Sequence, residues 1–298
     1  MKKAIIIVLR FVRINKELVR AMLRSNKRYL RIYMHSLKFI RPEVAIDSKI
    51  RTKAHIVDKS IHSLPFQRGR GVSNAIFLKS LLSTQNLPDS VKVRNWAENI
   101  LNLYEKKQEQ PDLEVYENLH YENYPSILEV LKTRVSVRNF KRLKPELTDL
   151  NKAVEVALTA PSSCHRQPAF FYHIRKDEQI KAARSCIAGS TGFTYDNIPV
   201  ITVVSADIRS YSPRDGETYI VDTALAAENY VLGLRLLGIG STIMNWAHAN
   251  NAQITKLKQL CKIPAHEEII TTVAIGYPEK LPLKPSSTSA ESRSIAVE

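Results

Sequence analysis

Cysteine is scarce in this sequence. Cys164, Cys186 and Cys261 are the only three among 298 residues, and no two of them form a Cys-x-x-Cys pair. A small, odd number of dispersed thiols predicts neither a disulfide framework nor a zinc site, and it is typical of a reducing cytosol. We therefore expect a cytoplasmic protein without a structural metal.

Long apolar runs are absent from the N-terminal region. Lys2 and Lys3 precede an apolar segment at 4–9, as in a signal peptide, but Arg10 ends that segment after six residues. Such a run is too short for the hydrophobic part of a signal peptide and far too short to span a membrane. The protein is expected to be neither secreted nor membrane-spanning.

Acidic residues are rare in residues 1–60, which carry 16 Lys and Arg against 4 Asp and Glu, or +12 of the formal charge of +15. Apolar residues recur at helical spacing over 4–40, which predicts an amphipathic helix or helix pair. Two interpretations of its basic face remain: a solvated surface of a packed helix, or attachment to an anionic membrane surface or acidic partner. No nucleic-acid partner is expected, because the stretch contains no recognition module.

Composition divides the remaining chain. Residues 108–125 are polar, acidic and rich in tyrosine, which predicts a linker. Helices alone are predicted before it, at 73–82 and 90–107 after a loop at 65–71, whereas helices and β-branched strands alternate after it. The expected organisation is a basic helical region (1–107), the linker (108–125), a second domain (126–285) and a flexible tail (286–298).

The second domain is expected to contain helices and strands. Thr148 is a suitable N-cap for a helix at 148–158. The segment 222–237 is apolar nearly all round, which predicts a deeply buried helix. Strands are predicted at 169–174 and at the two segments rich in β-branched residues, 200–204 and 269–275.

The stretch Ala-Pro-Ser-Ser-Cys-His-Arg-Gln-Pro-Ala-Phe, residues 160–170, places a thiol beside an imidazole. Adjacent side chains point about 100° apart on a helix and to opposite faces of a strand, so Cys164 and His165 are not expected to form a nucleophile–base pair. The sequence also contains no Gly-x-Ser-x-Gly motif. A thiol hydrolase is therefore disfavoured, and Cys164 is interpreted as a small buried hydrophobe.

Arg134, Ser136 and Arg138 alternate with Val135 and Val137. In extended backbone, the three polar residues project from one face and the two valines from the other. Two guanidinium groups around a hydroxyl suit a phosphate dianion, because Arg offers bidentate donors that are always charged. The alternative is an edge strand with a solvated basic face.

A Gly-Ile-Gly-Ser turn follows the apolar helix and leads into a short strand. Capping of the helix C-terminus explains Gly238. It does not explain Gly240, where the lack of a side chain would let the backbone approach a planar ligand closely.

In order and spacing, these motifs resemble the FMN-dependent nitroreductase family. The pattern is Arg-x-Ser-x-Arg, then Ala-Pro-Ser-Ser and Gln-Pro, then a helix ending Leu-Gly-Ile-Gly-Ser, and finally Ala-Ile-Gly-Tyr-Pro at 274–278. The resemblance covers 126–285 and implies an α+β fold, in which an antiparallel-rich mixed sheet is flanked by helices and a long buried helix lies at a homodimer interface. The motifs His-x-x-Asp-Lys at 55–59 and Arg-Gly-Arg-Gly at 68–71 are similar to a branch with an added N-terminal helical region that is associated with surface-polysaccharide gene clusters.

The resemblance implies FMN as cofactor at the dimer interface. The sequence departs from the family at His165, where most members have Asn, and at Ala169, where Trp is usual. The residues implied for FMN are Arg134, Ser136, Arg138 and Lys284 at the phosphate, Ser162, Ser163 and His165 of the partner subunit with Gln167 in the same motif, and Gly240 and Ser241 along the isoalloxazine ring.

The function implied is NAD(P)H-driven, ping-pong reduction of an electron-poor small molecule. The flavin N5 carries the hydride chemistry in such an enzyme, so no catalytic acid–base pair is expected in the protein. The alternative is a nitroreductase-like scaffold without turnover, docked by its basic N-terminus to a membrane surface or a complex. Capture of FMN distinguishes the two.

Overall fold

The computed structural model describes residues 46–62, 66–83, 91–115, 124–187, 198–246, 249–281 and 293–297. The predicted basic helix at 4–40, much of the predicted linker, and Lys284 lie outside these residues. Among the described residues, no helix combines the length and the apolar character needed to cross a bilayer.

Three helices come first in the described chain: α1 (Ile46–Ile61), α2 (Val72–Leu82) and α3 (Val91–Glu109). We call them the N-terminal unit. Ile50, Ala54, Val57 and Ile61 recur every three or four residues, so they form one buried stripe on α1. This stripe packs on α2 and α3 in a hydrophobic core of its own.

The loop before α2 is fixed by close packing inside the N-terminal unit. Gly71 has a φ of +84°, and a Cβ there would lie 2.5 Å from Ser60 Oγ, so a side chain would meet both strain and a clash. Tyr104 Oη donates a hydrogen bond of 2.9 Å to the Arg70 carbonyl. The exposed loop that carries the motif at 68–71 is thus held against α1, which carries the motif at 55–59, and against α3.

The second part of the chain is a sheet covered by helices. The helices are α4 (Tyr124–Thr133), α5 (Leu147–Ala157), α6 (Asp177–Arg184), α7 (Thr218–Leu236) and α8 (Asn251–Cys261). The strands are β1 (Ala169–Ile174), β2 (Val200–Asp207), β3 (Gly240–Met244) and β4 (Glu267–Gly276). Their order is β1-β2-β4-β3 with antiparallel neighbours, and Ser136 adds a parallel bridge to Ser241. The α+β prediction is confirmed.

Alternation along β2 divides its side chains between two hydrophobic layers. Val200 and Val204 pack with α5 and α7, whereas Ile201 and Val203 belong to the layer that includes α6 and α8. Because successive residues of a strand point to opposite faces, helices can cover both sides of the sheet. Nine of the 19 residues of α7 are buried, so the predicted deep burial of this helix holds on one side only. On the other side, Val221, Leu225 and Leu236 are 59%, 42% and 58% exposed in the single chain.

Two local predictions are wrong. Thr148 is not the N-cap of α5, since the helix begins at Leu147 and Glu146 occupies the cap position without a side-chain hydrogen bond. The burial of Leu150 and Ala153, and not a capping side chain, determines which face of this helix packs on the core. Cys164 is partly exposed and not a buried hydrophobe, because it lies in a tight turn between α5 and β1.

Candidate functional site

The loop at 162–167 has an unusual backbone. Cys164, His165 and Gln167 have φ values of +51°, +55° and +48°, and none of them is glycine. Residues other than glycine rarely adopt this left-handed backbone conformation, which persists only where the surrounding structure holds it in place. The loop is therefore a strained element, and the contacts that hold it identify the residues that shape this part of the site.

The first set of contacts lies within the loop and its own flanks. Ser162 Oγ accepts a hydrogen bond of 3.0 Å from the Gln167 backbone N–H, and Arg166 Nη1 donates one of 2.9 Å to Ser163 Oγ. The Gln167 amide donates to the Leu158 carbonyl at 2.9 Å. The two hydroxyls and the amide that the sequence suggested for a ligand thus hold the loop itself.

A buried carboxylate on α7 provides the second set. Asp222 Oδ2 accepts hydrogen bonds from the Ser163 backbone N–H at 2.9 Å and from Tyr211 Oη at 2.6 Å. Burial and the nearby Asp222 carboxylate raise the pKa of Tyr211, which keeps its hydroxyl protonated as a donor. Arg166 lies over the Tyr211 ring at 4.9 Å and pairs with Asp215 at 3.5 Å. Sequence reasoning missed this role of Asp222, although a carboxylate in a nearly apolar helix was an available signal.

The third set comes from the N-terminal unit. The His165 ring centroid lies 5.1 Å from that of Trp96 on α3 and 6.4 Å from that of His55 on α1, and the two imidazoles are stacked at 26°. Burial lowers the pKa of His165, and the nearby Arg51 and His55 lower it further. The imidazole of His165 is therefore neutral at pH 7 and packs as an aromatic ring with one donor and one acceptor nitrogen.

The segment with alternating Arg and Val lies beside β3. The Val137 N–H donates a hydrogen bond of 3.0 Å to the Ser241 carbonyl, and the Val137 side chain is buried. Arg134 is partly exposed with its Nε 4.0 Å from Glu228 Oε1, and Arg138 is exposed with its Nη1 3.4 Å from the Ser136 carbonyl. The valine side packs inward and the guanidinium groups face outward, as the alternation predicts.

Packing gives Gly240 a role that needs no ligand. A Cβ at Gly240 would lie 2.9 Å from the Val137 Cβ and 3.0 Å from the Pro278 Cγ. Glycine is required there because β3 approaches these two residues closely. Gly240 and Ser241 are both buried in the single chain, so their predicted position along a flavin ring stays a prediction.

The predicted site residues that the structure describes fall into two groups in the single chain. Ser136 pairs with Ser241, which brings the Arg segment next to the Gly-Ile-Gly-Ser turn. The 162–167 loop forms the other group around Asp222. Across the part of the chain that the structure describes, no hydrogen bond, ion pair or ring contact joins the two groups.

The sequence profile of the nitroreductase family matches residues 131–195 and 188–277 of this chain. A protein of Archaeoglobus fulgidus is 30% identical over 153 residues, which are 51% of this chain and 85% of the relative, and its name is NADH dehydrogenase/NAD(P)H nitroreductase. The chain belongs to the nitroreductase family. The family's domain supplies the sheet, α7 and both groups of candidate residues, whereas the N-terminal unit lies outside the matched residues.

Other family members show the same partial coverage. A Methanothermobacter thermautotrophicus protein of the same name is 23% identical over 156 residues, 52% of this chain and 79% of its own length. The crystal structure of an NADH oxidase from Clostridium acetobutylicum superposes with a TM-score of 0.50 at 24% identity, covering 57% of this chain and 98% of that one. This likeness supports the nitroreductase fold.

Proposed function

We propose that this chain is an FMN-dependent oxidoreductase, which uses NAD(P)H to reduce an electron-poor small molecule in a ping-pong cycle. Membership of the nitroreductase family supports the reaction class, and the name of the Archaeoglobus relative supports NAD(P)H as the reductant. The observation that carries the cofactor assignment is the outward-facing set of Arg134, Ser136 and Arg138 beside β3.

These three residues fit a flavin phosphate. Val137 is anchored inward by its backbone bond to Ser241, which leaves the two guanidinium groups on the outer side of the same short segment. The nearest carboxylate to Arg134, that of Glu228, lies at the outer limit of an ion pair, 4.0 Å away. Two charged, bidentate donors and a hydroxyl match the charge and the donor needs of a phosphate dianion. Lys284 is proposed as a further phosphate contact.

The 162–167 loop is proposed to face the flavin of the partner subunit. Hydride transfer is the chemistry that a bound flavin supplies, and the protein contributes placement, electrostatics and exclusion of water. The hydroxyl oxygens of Ser162 and Ser163 accept hydrogen bonds within the loop and keep their O–H groups as donors. These two hydroxyls and the neutral His165 ring are proposed to face the flavin, while Gly240 and Ser241 are proposed to line the other side. Gln167 then acts by holding the loop.

A homodimer is part of this proposal. Val221, Leu225 and Leu236 lie on one stripe of α7 and are each more than 40% exposed in the single chain. A stripe of large apolar side chains along a long helix is a typical protein–protein contact surface. We propose that a dimer formed through these stripes completes the flavin site, with the 162–167 loop of one subunit and the Arg segment of the other.

The visible absorbance spectrum of purified full-length protein tests the cofactor. We expect a yellow protein with the oxidised-flavin band at about 450 nm, bleached without oxygen by NADH or NADPH, and the faster of the two identifies the preferred reductant. Colourless protein that takes up no added FMN would contradict the proposal and leave the scaffold alternative.

Docking of the basic N-terminal region to an anionic surface is a separate proposal, supported by its charge of +12 in residues 1–60. Co-sedimentation with phosphatidylserine vesicles should be strong at low salt and weak at high salt. The motifs at 55–59 and 68–71 suggest that the enzyme acts in polysaccharide biosynthesis.

A further inference from the structure

The N-terminal unit meets the family domain at the 162–167 loop. Trp96 and His55 contact one side chain of this loop, the ring of His165, and α1 runs alongside the turn at Ser163–His165. Trp96 and His55 both precede the residues that match the nitroreductase family profile. The contact therefore joins a segment outside the matched domain to the loop that is proposed to face the flavin.

The other supports of the loop hold its backbone, including the His165 N–H, which donates a hydrogen bond of 2.9 Å to the Ser162 carbonyl, but they do not contact the His165 ring. Asp222 fixes the Ser163 backbone, Ser162 fixes the Gln167 backbone, and Arg166 fixes the Ser163 hydroxyl. Within the described residues, the ring contacts of the His165 side chain are those with Trp96 and His55. The contacts with Trp96 and His55 therefore bear on the orientation of the His165 ring, beside a strained backbone that the loop itself holds.

Charged groups around His165 also come from α1. Arg51, His55 and Asp58 all act on its imidazole, and Lys59 acts on His55. On α3, Arg94 and Glu98 flank Trp96 and pair with each other at 3.0 Å. Burial lowers the pKa of His165 most, Arg51 and His55 lower it further and Asp58 opposes them, so a neutral ring packs beside Trp96 and His55.

We propose that Trp96 and His55 are positioning residues, which hold His165 and the 162–167 loop for reduction of the acceptor. This inference rests on the proposed flavin function. It implies that the N-terminal unit controls turnover of the acceptor more than capture of FMN, because the proposed phosphate contacts lie in the other group of residues. In this proposal, the N-terminal unit contributes residues to the active site.

The kinetic test compares Trp96→Ala with Leu103→Ala in the full-length chain. Leu103 lies two turns further along α3, packs on the same N-terminal core and is partly buried like Trp96, so its loss disturbs that core without removing a contact to His165. With p-benzoquinone as acceptor, kcat/KM should fall about tenfold or more in Trp96→Ala, since small displacements in a site are costly, while FMN affinity stays within about twofold. Leu103→Ala should stay near wild type in both.

A double-mutant cycle isolates the contact itself. If Trp96 acts through His165, Trp96→Ala should change kcat/KM little in a His165→Ala background. Additive effects of the two substitutions would overturn the inference, and so would equal losses in Trp96→Ala and Leu103→Ala.

A second readout does not depend on flavin. Cys164 is partly exposed beside His165, Cys186 is buried, and Cys261 can be replaced by Ser, so alkylation by a maleimide reports on Cys164 alone. The labelling rate should rise in Trp96→Ala and stay unchanged in Leu103→Ala. Equal rates in both variants would overturn the positioning role, even if the protein binds no FMN and the proposed function itself fails.

Discussion

Replacing Tyr211 with Phe removes one hydroxyl from the buried support beneath the 162–167 loop. The Tyr211 Oη lies 2.6 Å from Asp222 Oδ2, and both residues are at most 5% exposed. The Phe ring would keep its place under the Arg166 guanidinium. The substitution therefore isolates a single hydrogen bond to a buried charge.

The size of the effect follows from that charge. A hydrogen bond to an ionised partner contributes about 1.5–3 kcal/mol, whereas one between neutral groups contributes about 1 kcal/mol. After the substitution, Asp222 keeps only the Ser163 backbone N–H among the two donors described above. We expect the free energy of unfolding to fall by about 2 kcal/mol and Tm to fall by about 4–8 °C for a domain of this size.

Tyr230→Phe is the matched control. Tyr230 lies on α7, the helix that carries Asp222, and is fully buried, but its hydroxyl bonds a neutral partner, Thr202 Oγ1, at 3.2 Å. It should lose about 1 kcal/mol in urea unfolding followed by near-UV circular dichroism. Equal losses in the two variants would refute the charge-assisted bond to Tyr211.

Three further predictions concern pH, cofactor and assembly. Burial lowers the pKa of His173 from 6.5 to about 4, so between these pH values the unfolded chain binds a proton at this residue and the folded chain does not. The free energy of unfolding should therefore fall by about 3 kcal/mol from pH 7 to pH 4. Urea unfolding at several pH values should show a smaller fall in His173→Asn. Combining Arg134→Ala with Arg138→Ala should abolish retention of FMN, and unchanged flavin content would move the phosphate site elsewhere. Leu225→Lys should give monomers in sedimentation, while Leu281→Lys, at a residue that is 59% exposed and does not belong to α7, should not.

Local sequence signals predicted most of the helices and strands. The strand predicted at 169–174 is β1, and the β-branched run at 269–275 lies within β4. The bounds that differ do so where packing overrides a local preference, as at Thr148, because Leu150 and Ala153 set the phase of α5. A cap contributes about 1 kcal/mol, whereas two buried apolar side chains contribute more.

Gly240 shows where sequence reasoning stops short. The sequence showed that capping explains Gly238 but not Gly240, which suggested a ligand. The structure supplies a packing reason, since a Cβ would clash with Val137 and Pro278. These contacts join residues far apart in the chain, so no local pattern reveals them.

The residues that hold the 162–167 loop could not be predicted from the sequence for the same reason. The motif itself drew attention to hydroxyls, a thiol and an imidazole, yet the residues that shape it are Asp222 and Tyr211 on one side and Trp96 and His55 on the other. None of these four is a neighbour of the motif in sequence. Only the fold shows that Ser162 and Ser163 are already engaged.

The two sets of residues that hold the loop differ in how far substitutions in them would disturb the fold of the family domain. Asp222 lies on α7 in the core of the family domain, so its replacement disturbs the sheet layer as well as the loop. Trp96 and His55 lie in a unit with its own hydrophobic core, so substitutions there act on the loop while the family domain stays folded. The proposed coupling runs through one ring, that of His165. It therefore predicts that changes in the N-terminal unit alter how the acceptor is held and leave the proposed phosphate contacts at Arg134 and Arg138 as they are.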